Sequence, residues 1–267
     1  MILHAIRDLS RRSRLHRQIS RVLAGKKTPV VVYQMGKVAS STLEATLQGI
    51  PSIEVFRAHV LNHHGQKRPA QMDRRLLESW LVFEHLIQSG IPTKVVTLVR
   101  EPIGRNISAY FQNLDQLWGL PQAHQRLTMP QLIAGFFEKF DHQRTLRWFD
   151  DEFKPVLGLE VYEHPFDPAA GFQRLVHAPY DVLILRVDVS DTVKARQLAE
   201  LIGQPEISLV QKNIGETKGY SALYKEFLGA VPLPKSYVDE MLDHRYTRHF
   251  FSAVEIEQLR RKWLRAP

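Results

Sequence analysis

Short apolar runs alternate with amphipathic segments along most of this chain, and this alternation limits the folds that it can adopt. TPVVVYQ, SIEVFRAH, TKVVTLVR, LEVYEH and YDVLILRVD each predict a strand, because they are short and rich in apolar or β-branched residues. Segments with helical spacing lie between most of them. A repeated strand and helix predicts a parallel sheet covered on both faces. The expected fold is therefore one α/β domain with a central parallel sheet flanked by helices.

The predicted helices have clear start and stop signals. SSTLEATLQGI has Ser40 or Ser41 as its N-cap and Gly49 near its end, and Pro102 opens PIGRNISAYFQNLDQLW. MDRRLLESWLVFEHLIQSG and DTVKARQLAELIG each end in glycine. Two more helices are predicted near 220–229 and 253–264. Ligands of such folds bind beyond the carboxyl ends of the strands, which places the candidate sites at 34–37, 57–59 and 100–101.

The positive charge is concentrated at the start of the chain. The net charge is +8, and residues 1–30 hold eight Lys and Arg residues against Asp8 alone. We therefore divide the chain into a basic helix at 1–27 and a single α/β domain at 28–267. The helix either contacts an anionic membrane surface or polymer, or packs on the domain with a solvated basic face. The second interpretation is favoured.

Composition excludes several classes of protein. There is no cysteine, and hence no disulfide, thiolate metal ligand or thiol nucleophile. No apolar run reaches 18 residues and no secretory signal is visible, so we expect a cytoplasmic protein, with peripheral contact to the inner face of the membrane open through the basic helix. The near-neutral remainder argues against a nucleic-acid surface on the domain.

The stretch VVVYQMGKVASSTLEATL places a lysine and several hydroxyls where a strand gives way to a helix. Backbone N–H groups and the helix dipole favour an anion there, and Lys37 adds a positive charge. A Walker A loop needs two glycines and a Ser or Thr after the lysine. This loop has one glycine, Gly36, and Val38 follows the lysine, which disfavours an ATPase or GTPase. The alternative is a simple turn with a capping serine.

The stretch VREPIGRNISAYF is the second candidate anion site. Arg100 ends a strand and can grip a phosphate bidentately, while Ser108 on the following helix can donate a second bond. Arg105 can face the same anion. The alternative is that Arg100 only forms an ion pair, for example with Glu101.

Together, YQMGKVASSTLEATL and LVREPIGRNISAYF resemble the sulfotransferases that use 3′-phosphoadenylyl sulfate. The resemblance extends in particular to bacterial, carbohydrate-directed members, including proteins described as capsular polysaccharide synthesis proteins; RWFDDEF, VQKNIGETKGYSALYKEF and YTRHFFSAVEIEQL also resemble that group. It implies a P-loop NTPase-like fold and an enzyme that moves a sulfuryl group from 3′-phosphoadenylyl sulfate to a hydroxyl of a carbohydrate or glycolipid acceptor, with 3′,5′-bisphosphoadenosine as product.

The resemblance also implies roles for individual residues. It implies that Arg100 and Ser108 bind the 3′-phosphate, and that NIGETKGYS closes over the nucleotide. Thr217 stands where many cytosolic members have the Arg of an Arg-Lys-Gly triplet. The residues implied around the 5′-phosphosulfate are Gly36, Lys37, Val38, Ala39, Ser40, Ser41 and Thr42. Those implied in the closing segment are Lys218, Gly219 and Tyr220.

The implied transfer is in line, with charge building on the leaving phosphate oxygen. Lys37 suits the stabilisation of that charge, and no metal is required. His59 follows the second strand in EVFRAHVLNHH and is the candidate base; its AHV stretch resembles a histidine-bearing stretch of some heparan-type sulfotransferases. A hydrogen-bonded structural histidine is the alternative. His63 and His64 are possible substitutes, and a zinc pair of His59 and His63 lacks a third ligand.

Other interpretations remain open at this point. Glu163 and His164 are further acid or base candidates, ranked behind His59. Trp148 and Phe149 in LRWFDDEF either stack on sugars or belong to the core, and the core is favoured. A nucleotide kinase or NTPase, and a membrane-surface or nucleic-acid binder that uses the basic helix, are the alternative functions.

Overall fold

A five-stranded sheet lies at the centre of the computed structural model, which describes residues 2–38, 40–210 and 219–264. The strand order is β2-β1-β3-β5-β4. The strands are β1 Thr28–Tyr33, β2 Ile53–Ala58, β3 Thr93–Val99, β4 Phe172–His177 and β5 Tyr180–Arg186. The protein is therefore a mixed α/β fold.

The sheet is parallel except at one edge. β1 pairs in parallel with β2 and β3, and β3 pairs in parallel with β5, but β4 is antiparallel to β5. The prediction of a wholly parallel sheet was therefore wrong at β4. The sequence does not clearly indicate β4 as a strand, because its residues are half-buried or exposed and polar residues stand among the apolar ones. The predicted strand LEVYEH is also wrong, since Val161–Glu163 forms a 3₁₀ turn.

Helices cover both faces of the sheet. The predicted helix caps are found at Gly49, which ends α2, at Pro102, which opens α4, and at Gly203, which ends α9. The single helix predicted after Pro102 is two helices, because the first ends at Asn113. The helices are α1 Ile2–Leu23, α2 Ser41–Gln48, α3 Arg74–Val82, α4 Pro102–Gln112, α5 Leu114–Trp118, α6 Met129–Lys139, α7 Arg144–Trp148, α8 Lys154–Leu157, α9 Asp191–Ile202, α10 Ser221–Ala230, α11 Lys235–Asp243, α12 Arg245–Phe250 and α13 Ala253–Trp263.

The aromatic residues at the end of α7 belong to the core. Trp148 and Phe149 are 3% and 2% exposed, and the Trp148 ring lies 5.2 Å from that of Tyr33 in β1. Neither ring is open to stack on a sugar, so the core interpretation is confirmed. Glu152 accepts hydrogen bonds from the Tyr33 hydroxyl and from the N–H of Asn62, which fastens the segment after β2 to the core.

The last turns of α1 pack on the domain. Leu15, Ile19 and Val22 are buried, and Arg21 pairs with Glu54 of the edge strand β2 at 2.6 Å. Over these residues the basic helix behaves as the packed helix favoured by its sequence. Among the described helices, none is both long enough and apolar enough to cross a bilayer.

We expect Ile19→Ala to lower the free energy of unfolding by about 2–4 kcal/mol, because it removes a buried aliphatic side chain and leaves a cavity. Denaturant unfolding followed by circular dichroism measures this change. Arg17→Ala, at an exposed position of the same helix, is the control and should change stability by less than about 0.5 kcal/mol. Equal, small effects of both substitutions would show that α1 does not pack on the domain.

Candidate functional site

The loop between β1 and α2 has an unusual backbone conformation. Lys37 has a φ of 75°, in the left-handed region, which costs a non-glycine residue roughly 1–2 kcal/mol. Two arginines of the second motif hold the loop there. Arg105 Nε donates to the Gly36 carbonyl at 3.0 Å, and Arg100 Nη1 donates to the Lys37 carbonyl at 3.1 Å. The two sequence motifs are therefore joined by direct hydrogen bonds at the carboxyl edge of β1 and β3.

Arg105 is a buried cation, and the described residues that accept its hydrogen bonds are all neutral. It is 5% exposed, and besides Gly36 its guanidinium donates to Thr145 Oγ1 at 3.1 Å and to Asn106 Oδ1 at 3.4 Å. Burial, reinforced by the nearby charges of Arg144 and Arg100, lowers its pKa to about 10, so it stays charged near pH 7. Among the described residues it makes no ion pair. Burying a charge costs free energy unless an opposite charge lies nearby. An anion bound over the loop would supply that opposite charge.

The N-terminus of α2 has no side-chain cap. Ser40 occupies the N-cap position, but its side chain does not cap the helix; the hydroxyl donates to Glu44 Oε1 at 2.8 Å. The first N–H groups of a helix have no intrahelical partner and favour negative charge. Ser41 and Thr42, both half-buried, begin this helix, whereas the side chain of Val38 is 1% exposed and belongs to the core. Any contact of Val38 with a ligand is thus through its backbone.

The N-terminus of α4 is already capped. The Glu101 carboxylate accepts from the N–H groups of Ile103 at 3.0 Å and Gly104 at 2.8 Å. Burial raises the pKa of this carboxyl. Glu101 therefore faces its own helix, whereas Arg100 faces the Lys37 carbonyl. Within the described part of the chain, the two side chains do not form the ion pair that the sequence left as an alternative.

A cavity of about 360 Å³ opens beside Arg100 and Gly104. Tyr224 of α10 and Trp263 of α13 contribute aromatic walls, and the Tyr224 hydroxyl lies against the Arg100 side chain. Ser108 is one helical turn after Gly104 and therefore lies on the same face of α4. The cavity has the volume and the mixed aromatic and cationic lining that suit a nucleoside.

The segment before α10 also reaches α4. The Tyr220 ring lies 5.8 Å from that of Phe111, one turn beyond Ser108, and the Tyr224 ring meets Phe111 edge-on at 5.2 Å. Gly219 is exposed beside Tyr220. Two residues predicted in the site, Ala39 and Lys218, lie outside the described residues.

His59 is held by two hydrogen bonds at the carboxyl end of β2. Its Nδ1 is 2.9 Å from the Gln34 carbonyl, and its Nε2 is 3.0 Å from Arg57 Nη2. The carbonyl can only accept and the guanidinium can only donate, so the proton is assigned to Nδ1 and the lone pair of Nε2 faces Arg57. Burial, with the charges of Arg57, Arg75 and Arg105, lowers its pKa to about 4. His59 is a neutral imidazole whose basic nitrogen is covered by Arg57.

We expect the His59 ring to remain neutral down to about pH 5, because its pKa lies well below the ordinary 6.5. Between pH 6.5 and 4 the unfolded state then binds more protons than the native state, so the stability that neutral His59 contributes is complete above pH 6.5 and is lost as the pH falls through this window. Nitrogen NMR of the imidazoles, with His59→Gln for assignment, measures the midpoint. A midpoint near 6.5 would contradict the burial.

The other histidine and acid candidates lie elsewhere. His63 is buried, stacks on Trp80 at 4.2 Å and bonds Ser79 Oγ through Nε2 at 2.7 Å, which is a structural role. His64 packs edge-on against Phe83. The described residues contain no group of three His, Cys, Asp or Glu side chains that could hold a metal ion. Glu163 and His164 belong to the turn beside β4, at the sheet edge opposite β2.

The NKWYS family model, described as "Putative capsular polysaccharide synthesis protein", matches residues 126–252. The match covers just under half of the chain. It includes Thr145 and Tyr224, which contact Arg105 and Arg100, but not the Lys37 loop. No curated protein and no solved structure matches the chain. The comparisons therefore connect this part of the chain with capsular polysaccharide synthesis and leave the reaction to be inferred from the site.

Proposed function

We propose that this protein is a sulfotransferase that moves a sulfuryl group from 3′-phosphoadenylyl sulfate to a hydroxyl of a carbohydrate or glycoconjugate acceptor. The observation that carries the proposal is the contact of Arg105 and Arg100 with the carbonyls of Gly36 and Lys37. A single nucleotide with phosphates at both ends suits this arrangement. Its 5′-phosphosulfate would lie at the N-terminus of α2, and its 3′-phosphate beside Arg100 and Ser108.

The chain offers cationic groups where the reaction develops negative charge. Sulfuryl transfer breaks the bond between sulfur and the oxygen of the 5′-phosphate, and forms a bond between sulfur and the acceptor oxygen. Lys37 and the N–H groups of α2 would stabilise the charge on the leaving oxygen. The buried charge of Arg105 under the loop adds to this potential. In this proposal the protein's own cations match the leaving group, without a divalent metal.

The acceptor hydroxyl must lose a proton, and His59 is the candidate to take it. Its Nε2 carries the lone pair, but Arg57 donates to that nitrogen at 3.0 Å. An acceptor hydroxyl would have to displace Arg57 from Nε2 before His59 can act as a base. The pKa of about 4 keeps the ring unprotonated at physiological pH but makes it a weak base. Displacement of Arg57, whose charge lowers this pKa, would also make His59 a stronger base.

Calorimetry with nucleotides tests the donor. We expect the protein to bind 3′,5′-bisphosphoadenosine, and to bind adenosine 5′-monophosphate at least about tenfold more weakly, because charge-assisted bonds to the 3′-phosphate are lost. Transfer of radiolabelled sulfate from 3′-phosphoadenylyl sulfate to a capsular polysaccharide preparation then tests the reaction. Equal affinity for both nucleotides would contradict the proposal, and magnesium-dependent turnover of ATP would favour a kinase or NTPase instead.

A further inference from the structure

A second cavity, of about 640 Å³, lies over the edge strand β2 and is lined by residues of α1, α2 and α3. Its lining is predominantly charged. The charged side chains that carry the argument are Arg14 of α1, Glu44 of α2, Arg57 of β2, and Arg74, Arg75 and Glu78 of α3. We call it the β2 cavity.

The β2 cavity adjoins the candidate base and the Lys37 loop. Arg57 Nη2 is 3.0 Å from His59 Nε2, and Arg57 Nε is 3.1 Å from Glu44 Oε1. Glu44 in turn accepts from Ser40 at the start of α2. Arg57 and Glu44 therefore line the β2 cavity and connect it with His59 and with the N-terminus of α2.

The carboxylates of the cavity are engaged, whereas several of its arginines are not. Glu44 accepts a hydrogen bond from Ser40 and forms an ion pair with Arg57, and Glu78 accepts a hydrogen bond from the backbone N–H of Arg57 at 2.9 Å. Arg14, Arg74 and Arg75 are exposed and form no ion pair with a described residue. The positive charge of Arg75 helps to lower the pKa of His59. The cavity thus combines exposed arginines, of which Arg74 acts on Glu78 through its charge alone, with carboxylates that already accept hydrogen bonds.

We propose that the β2 cavity binds the acceptor, and that the acceptor is a saccharide bearing carboxylate or similar anionic groups. The inference rests on the proposed function. The arginines Arg74 and Arg75 bind the anionic group. The carboxylates of Glu44 and Glu78, whose Oε1 atoms accept hydrogen bonds from the protein itself, accept from sugar hydroxyls through Oε2. Those carboxylates would repel the continuous charge of a nucleic acid. The volume suits a short stretch of saccharide. Because Arg14 also lines the cavity, the basic helix α1 contributes to binding.

Binding of acidic and neutral saccharides to the full chain tests this proposal. The probes are the tetrasaccharides of polygalacturonate, hyaluronan and chondroitin, each beside its carboxyl-reduced form, titrated by calorimetry with saturating 3′,5′-bisphosphoadenosine. We expect at least one acidic probe to bind with a Kd below about 1 mM, and its reduced form to bind about tenfold more weakly or worse.

Charge substitutions locate the binding. We expect the double variant Arg74→Gln, Arg75→Gln to weaken binding of the acidic probe by about tenfold or more, and Arg14→Gln to weaken it by a smaller factor. The matched control is the double variant Arg196→Gln, Arg261→Gln, which removes two exposed arginines of α9 and α13 and should leave binding unchanged. All of these positions are exposed, so the variants should fold.

Three results would overturn the inference: no acidic probe binds, acidic and reduced forms bind equally, or the α3 double variant binds as the wild type does. A fourth result would overturn the inference in favour of a membrane contact. In that case the wild type binds phosphatidylglycerol vesicles but no saccharide, and the α3 double variant no longer binds the vesicles. Binding of 3′,5′-bisphosphoadenosine separates the two proposals. If the nucleotide binds and no saccharide does, only the cavity inference fails; if no nucleotide binds, the proposed reaction fails.

Discussion

Lys37→Gly is expected to slow sulfuryl transfer by about 10²–10³, while leaving the free energy of unfolding unchanged or raising it by up to about 1 kcal/mol. In the proposed reaction the rate falls because the substitution removes the cation that would stabilise the leaving oxygen. Stability does not fall, because glycine adopts the left-handed conformation of residue 37 without the steric cost that a side chain incurs. Transfer assays and denaturant unfolding on the same preparations measure the two effects.

Lys37→Ala is the matched control for the backbone. Alanine also lacks the charge, so the rate should fall as far as it does with glycine, but alanine keeps the steric cost and should be less stable than the glycine variant by about 1 kcal/mol. Lys37→Arg keeps the charge and should retain more activity than either. Wild-type transfer rates in the glycine variant would remove Lys37 from the mechanism.

The sequence predicted those elements whose signals are local. β1, β3 and β5 are continuous runs of β-branched and apolar residues, and α2 and α9 end at glycines, so both kinds of element were found. β4 was missed because its pattern is that of a partly exposed edge strand, which depends on the β5 partner beside it. LEVYEH has the composition of a strand, but it has no partner in the sheet and folds as a turn.

Part of the candidate site was also accessible to sequence reasoning. Arg100 follows directly after β3, as the pattern of the chain predicts, and lies next to the loop of Lys37. The sequence did not predict that Arg105 would lie beneath this loop, because that position depends on Thr145, forty residues further along the chain. It also gave no signal that Arg57 would cover the lone pair of His59, since this contact depends on the orientation of two neighbouring side chains.

Arg105→Met is expected to weaken binding of 3′,5′-bisphosphoadenosine by about 10²-fold. Among residues 2–38, 40–210 and 219–264, the Arg105 guanidinium is the side-chain group that donates to the Gly36 carbonyl. It lies buried under the turn that would hold the 5′-phosphate. Its loss removes both the fixed conformation of the loop and a positive charge in a poorly hydrated place, where charge interactions are strong. Calorimetry measures the affinity. Denaturant unfolding should show a smaller effect, of about 1–3 kcal/mol, from the acceptors left without a donor.

Two further variants separate charge from geometry at this position. Arg105→Lys keeps the charge, but an ammonium cannot reproduce the planar fork that reaches Gly36 and Thr145 together, so affinity should recover only in part. Thr145→Val removes one neutral acceptor and leaves the bond to Gly36, so binding should fall by less than about tenfold. If Arg105→Met bound the nucleotide as tightly as the wild type, the buried guanidinium would serve the fold alone. The anion would then have to lie away from the loop that Arg105 supports.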